Sequence, residues 1–112
     1  PLTAETTHMI GKPQFDLMKR TALLINTSRG AVIDESALIA ALEENRIYAA
    51  GLDVYEQEPA IPPRLIRLKN AFLLPHIGTA THDDRSEMTR MATENLLAGI
   101  QGRKLPFAVT GE

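Results

Sequence analysis

Ala22-Leu23-Leu24-Ile25-Asn26-Thr27-Ser28-Arg29-Gly30 is the stretch that decides the fold. Its first five positions form a short apolar run, long enough for a buried parallel strand and too short for a helix. The run ends in a polar turn, 27–30, and a helix signal follows at once. Asp34 is placed to cap that helix, and Glu35 favours the positive end of its dipole. Leu38, Ala41 and Leu42 then recur at three- and four-residue spacing, with Asn45 as the stop. Strand, turn and helix in this order make one unit of a layered α/β fold.

Working outward, the alternation continues. Downstream, a second strand is expected at about 49–54, a proline-rich loop at 56–63 and a helical turn at 64–69. A third strand, 71–74, is stopped by Pro75. The longest element is a helix over roughly 83–101, with Met88, Met91, Ala92, Asn95 and Leu96 as its stripe. Upstream, Gly11-Lys12-Pro13 turns into a short helix near 14–19, with proline at its start. The pattern is that of an α/β layer with a mainly parallel sheet. Three strands make half of a doubly wound sheet. No Gly-x-Gly-x-x-Gly occurs, since the seven glycines are dispersed. An upstream half is therefore expected outside this chain, and Pro1-Leu2-Thr3 reads as the middle of a protein.

Composition narrows the function classes. The 112 residues suffice for one modest domain, and 44 % apolar with 23 % charged residues is ordinary for a soluble globular protein. A net charge of −2 gives no basic surface, so neither nucleic acid nor an anionic membrane is an expected partner. The absence of cysteine excludes disulfides, thiolate catalysis and Cys-ligated zinc from this chain. No apolar stretch has the length of a membrane span, and the expected location is cytoplasmic.

Ionisable residues follow the carboxyl ends of all three expected strands. Arg29 follows the first, Glu56 and Glu58 the second, and His76 the third. In open α/β sheets that edge binds ligands. Glu56 and Glu58 sit on the same loop, and physical chemistry alone does not choose between them.

Three motifs occur in order: Asn26-Thr27-Ser28-Arg29-Gly30, Gly51-Leu52-Asp53-Val54 continuing to Glu58-Pro59, and Pro75-His76-Ile77-Gly78. With Pro1-Leu2-Thr3 they resemble the D-isomer-specific 2-hydroxyacid dehydrogenases, over nearly the whole chain to about Gly102. The resemblance implies the C-terminal half of a doubly wound Rossmann-type NAD(P)-binding domain plus a long C-terminal helix. Residues 1–102 would form that part and 103–112 a tail. It also implies catalytic roles for Arg29, Glu58 and His76, the glutamate before proline being preferred over Glu56. Cofactor contacts are implied for Pro1, Thr6, Thr27, Ser28, Arg29, Asp53, His76 and Gly78, with no metal.

The implied reaction explains the residue types. Reducing a 2-oxo acid requires a carboxylate clamp, a polarised ketone and a proton for the new alkoxide. The planar fork of Arg29 suits the first two tasks. His76 suits the third, because imidazole exchanges protons near neutrality. A carboxylate such as Glu58 beside it favours the imidazolium and fixes the ring. The span from Pro75 to Met88 is most similar to the glyoxylate, hydroxypyruvate and 2-ketoaldonate reductases. The implied cofactor is NAD or NADP, and the implied full-length state is a homodimer, the fragment alone being inactive. The competing reading is a non-enzymatic NAD(H)-sensing protein of the corepressor type.

The remaining features have structural explanations. His8 and His82 read as ordinary histidines, and Met88 and Met91 as core packing. Asp83 and Asp84 fit the N-terminus of the last helix. Arg64 stands where proline before leucine is common in the family.

Overall fold

A computed structural model describes residues 1–109; the end of the expected tail, residues 110–112, lies outside the described residues. The chain forms two compact units, the first being Pro1–Ile77 and the second starting at Gly78.

In the first unit the elements are α1 (Lys12–Leu17), β1 (Leu23–Asn26), α2 (Glu35–Glu43), β2 (Ala49–Leu52), α3 (Pro63–Ile66) and β3 (Ala71–Leu73). The strands form one parallel sheet in the order β1-β2-β3, with Ile25 beside Gly51 and Gly51 beside Phe72. Each strand is one or two residues shorter than its apolar run. Their parallel course puts all three carboxyl ends on one edge, which positions the site.

Local chemistry accounts for the helices. Pro13 sits in the first turn of α1, where its missing N–H costs nothing. The Asp34 carboxylate accepts the Ala37 N–H at 3.0 Å, capping α2; such a cap contributes about 1 kcal/mol. Leu38, Ala41 and Leu42 are buried as their spacing requires. Asn45 follows the helix at φ 51°, a left-handed conformation that asparagine tolerates. In α3, Pro63 opens the turn and Arg64 forks onto Glu43 through Nε at 3.1 Å and Nη2 at 2.6 Å. This exposed pair links α3 to α2 and contributes little energy.

The core lies on one face of the sheet. Phe15, Leu38, Leu42, Ile47 and Leu65 are almost wholly inaccessible and pack with Ala50, Leu52 and Tyr55. Each large apolar side chain contributes about 1.5–3 kcal/mol on burial. The opposite face departs from expectation. Leu23, Ile25 and Phe72 share it and are 65 %, 68 % and 69 % exposed. An apolar run implies burial on both faces, but within this unit helices cover only one.

The second unit contains α4 (His82–Ile100). Thr81 caps it by accepting the Asp84 N–H at 3.1 Å, and Asp83 and Asp84 lie in its first turn. Asn95 holds the following segment by exchanging hydrogen bonds with the Phe107 backbone at 2.9 and 3.0 Å. Arg90 pairs with Glu87 and lies 5.2 Å from the centre of the Phe107 ring. The methionine expectation holds only in part, for Met91 is half-buried but Met88 is not. Met88 is 58 % exposed, and Ala98 is the buried residue of the helix. Helical spacing identifies a face but not whether anything covers it. Among the described residues, no helix is long and apolar enough to cross a membrane.

Candidate active site

At the carboxyl end of β1 the chain turns sharply, and buried Asn26 shapes the turn. Its Oδ1 accepts the Ser28 N–H at 3.1 Å while its Nδ2 donates to the Arg29 carbonyl at 3.0 Å. Thr27, Ser28 and Arg29 are left exposed. The Arg29 guanidinium donates to the Ser28 carbonyl at 2.7 Å.

Beyond β2, Asp53, Val54 and Tyr55 remain buried before the loop reaches the surface. Tyr55 ties two strand exits together. Its hydroxyl donates to the Leu74 carbonyl at 2.7 Å, and its N–H donates to Glu58 Oε1 at 3.0 Å. Burial pushes the phenol above its usual range. Glu58 precedes a cis peptide to Pro59. Asp53 Oδ1 accepts the Ile77 N–H at 2.8 Å, bracing the segment after β3 against the end of β2.

These braces bring His76 and Glu58 together. His76 Nδ1 lies 2.7 Å from Glu58 Oε2, and both side chains are partly exposed. His76 has φ 54°, a left-handed conformation that costs a non-glycine residue energy and is concentrated at functional sites. The hydrogen bond from His76, then that from the Tyr55 N–H, holds the Glu58 carboxyl below the usual carboxylate range. The Arg29 charge acts in the same direction.

Glu56, the rival carboxylate, is engaged elsewhere. Its Oε1 lies 2.8 Å from His8 Nε2 and accepts the Glu35 N–H at 2.9 Å. His8 therefore has a specific partner that its sequence context did not reveal. Pro1 and Thr6 form a separate turn in which Thr6 Oγ1 donates to the Pro1 carbonyl at 2.9 Å. Gly78 opens the second unit. His82 is exposed at the start of α4. The described residues hold no group of three or more His, Cys, Asp or Glu able to bind a metal.

Thr27 and Ser28 expose hydroxyls at this edge, whereas Asp53 is buried at it and braces the Ile77 N–H. Arg29 follows β1 and His76 follows β3, so the two emerge on either side of the central strand.

The Glu58 carboxyl makes stability depend on pH. Its folded-state pKa is depressed, so the stability it contributes is present above the unfolded value of about 4.3 and is lost as pH falls through the folded value. The gap in unfolding midpoint between the parent and Glu58→Gln, open at about pH 5, should close below about pH 4. Thermal melts across this range check it; a gap that widens in acid contradicts the pairing.

A parallel sheet with chemistry gathered at its carboxyl edge defines an α/β nucleotide-binding domain. The chain belongs to the D-isomer specific 2-hydroxyacid dehydrogenases, whose NAD-binding domain matches residues 1–78. It is 54 % identical over 109 residues to the glyoxylate reductase of Thermococcus litoralis, covering 97 % of this chain and 33 % of that protein. It is 52 % identical over 104 residues to glyoxylate/hydroxypyruvate reductase B of Erwinia tasmaniensis, covering 92 % and 32 %. The chain thus spans about a third of the length of the curated relatives it matches. Among solved structures, the NADPH-dependent glyoxylate/hydroxypyruvate reductase of Sinorhizobium meliloti, in complex with NADP and malonate, superposes with a TM-score of 0.92. That match has 34 % identity and covers 98 % of this chain and 34 % of the other. The D-lactate dehydrogenase of Lactobacillus jensenii with NAD+ gives a TM-score of 0.83 at 34 % identity, covering 99 % and 38 %.

Proposed function

We propose that the protein carrying this chain reduces a small 2-oxo acid of the glyoxylate or hydroxypyruvate type to its D-2-hydroxy acid, using NADH or NADPH. The observation that carries the proposal is the 2.7 Å His76–Glu58 pair at the carboxyl edge of the sheet where Arg29 also emerges.

Arg29 clamps the substrate carboxylate and polarises its ketone, because a guanidinium stays charged and presents paired donors. The nicotinamide cofactor, when bound, supplies the hydride that reaches the carbonyl carbon. His76 turns its Nδ1 to Glu58, so Nε2 is the nitrogen that faces substrate. The imidazolium gives its Nε2 proton to the oxygen during reduction, and the neutral ring takes it back during oxidation. Glu58 holds the ring and balances its charge. Thr27, Ser28 and Asp53 orient the nicotinamide and its ribose, with Pro1, Thr6 and Gly78 as further cofactor contacts. Residues 1–102 serve as the C-terminal part of the nucleotide-binding domain and 103–112 as its tail. The protein works as a cytoplasmic homodimer, as family resemblance implies.

Loss of NADPH or NADH absorbance with glyoxylate and hydroxypyruvate tests this in the full chain. Turnover of either substrate is expected. Cofactor binding without turnover of any 2-oxo acid overturns the proposal and favours a nucleotide-sensing binding protein.

A further inference from the structure

We propose that His8 is a positioning residue for the catalytic pair, acting on Glu58 and His76 through Glu56. The inference rests on the functional reading above and adds a residue that no strand-end motif contains.

Glu56 is the pivot. Its Oε1 takes two donors, the His8 ring at 2.8 Å and the Glu35 N–H at 2.9 Å. Its own N–H reaches Glu35 Oε1 at 3.4 Å. Glu56 is thereby fastened to the first turn of α2 and to the segment before α1. The next link is short. Tyr55 immediately precedes Glu56, and its N–H holds Glu58 Oε1 while Glu58 Oε2 holds His76. Moving Glu56 drags the Tyr55 N–H and with it the Glu58 carboxylate.

His8 is built for this contact rather than resting on it. Its backbone stands at φ 52°, unfavourable for any side chain with a Cβ. Its N–H donates to the Ala31 carbonyl at 2.8 Å, in the turn that follows Arg29. The strained backbone aims the ring at Glu56 and fastens the same residue beside the β1 exit. His8 thus touches the exits of β1 and β2 together.

The crowding of carboxylates explains why the position needs an N–H donor. Glu35 and Glu56 hydrogen-bond across one small space and repel each other. Asp34 lies beside them, its carboxylate held by Ser36 and the Ala37 N–H. The ring that faces this group of carboxylates is His8, through Nε2 on Glu56. Without the His8 donor, Glu56 Oε1 loses one of its two hydrogen bonds and the loop bearing Glu58 loosens.

The test compares His8→Ala, His8→Gln and Glu56→Gln in the full chain, with His76→Asn as reference. Glutamine keeps an N–H donor near the position of Nε2. His8→Ala should lower kcat for 2-oxo acid reduction about tenfold or more, with substrate KM within about twofold. His8→Gln should recover most of that loss. Combining His8→Ala with Glu56→Gln should cost little more than either alone. An NMR readout is independent of turnover: the His76 Hε1 resonance should move in His8→Ala and return in His8→Gln. Parent kcat with an unmoved His76 resonance in His8→Ala overturns the proposal, as does a loss that glutamine fails to rescue. If the parent and His76→Asn both lack turnover, the functional reading fails instead, and the resonance still decides the role of His8.

Discussion

His76→Asn is expected to slow 2-oxo acid reduction by about a hundred- to ten-thousandfold, the usual contribution of a positioned general acid, while the protein stays folded and binds nicotinamide cofactor. Asparagine is the instructive replacement. It tolerates the left-handed backbone of position 76, where φ is 54°, so backbone strain does not confound the result. It offers an N–H but no proton that leaves near neutral pH. The side chain it replaces is partly exposed and outside the hydrophobic core. Glu58→Gln should cost less, because an amide oxygen can still accept from Nδ1 although the charge is gone. Adding Glu58→Gln to His76→Asn should add little, since the carboxylate acts through the ring. Steady-state rates for the three variants, with cofactor binding by fluorescence, check the set. A His76→Asn protein within about threefold of the parent rate removes the histidine from proton transfer.

What could be read in the sequence follows the range of the interactions. Elements made by neighbours were legible: the run before Asn26 is a strand, Asp34 caps α2, and Leu38, Ala41 and Leu42 bury together. Parallel pairing was legible too, because strands separated by helices have few other arrangements. Features that need distant partners were legible only where the family register supplied the partner, as it did for His76 and Glu58. The pairs His8–Glu56 and His76–Glu58 join residues far apart in sequence, and composition assigns neither carboxylate to its histidine. Family register favoured Glu58 for His76; the geometry adds the reason Glu56 is unavailable, which is its bond to the first turn of α2. Tyr55 gave no signal at all, since a tyrosine after a strand looks like any core aromatic until its hydroxyl meets Leu74. The exposed faces of Met88, Ile25 and Phe72 show the opposite limit. Apolar periodicity records that a face is meant to be covered, and names no covering partner.

Gly30→Ala should destabilise the protein by about 3 kcal/mol or more, and the cause is space rather than backbone angle. Gly30 is not among the residues at positive φ. A methyl group there would lie 1.9 Å from the Tyr55 carbonyl carbon, 2.0 Å from its oxygen and 2.4 Å from the Glu56 nitrogen. All three are backbone atoms, so no rotamer change relieves the overlap. The turn carrying Arg29 and the loop carrying Glu58 must separate, and Tyr55 and Glu56 are the residues through which that loop is braced. Stability and chemistry are therefore expected to fail together: even protein that stays folded holds Glu58 off its place against His76. Gly51→Ala supplies the contrast. Its new methyl meets only the far end of the Ile25 side chain at 3.0 Å, and Ile25 is exposed enough to turn aside. That change should cost less than about 1 kcal/mol. Denaturant unfolding of both variants measures the difference. Equal stability of the two would mean that the Arg29 turn and the Glu58 loop do not lie flush, and the joint between the β1 and β2 exits would have to be redrawn.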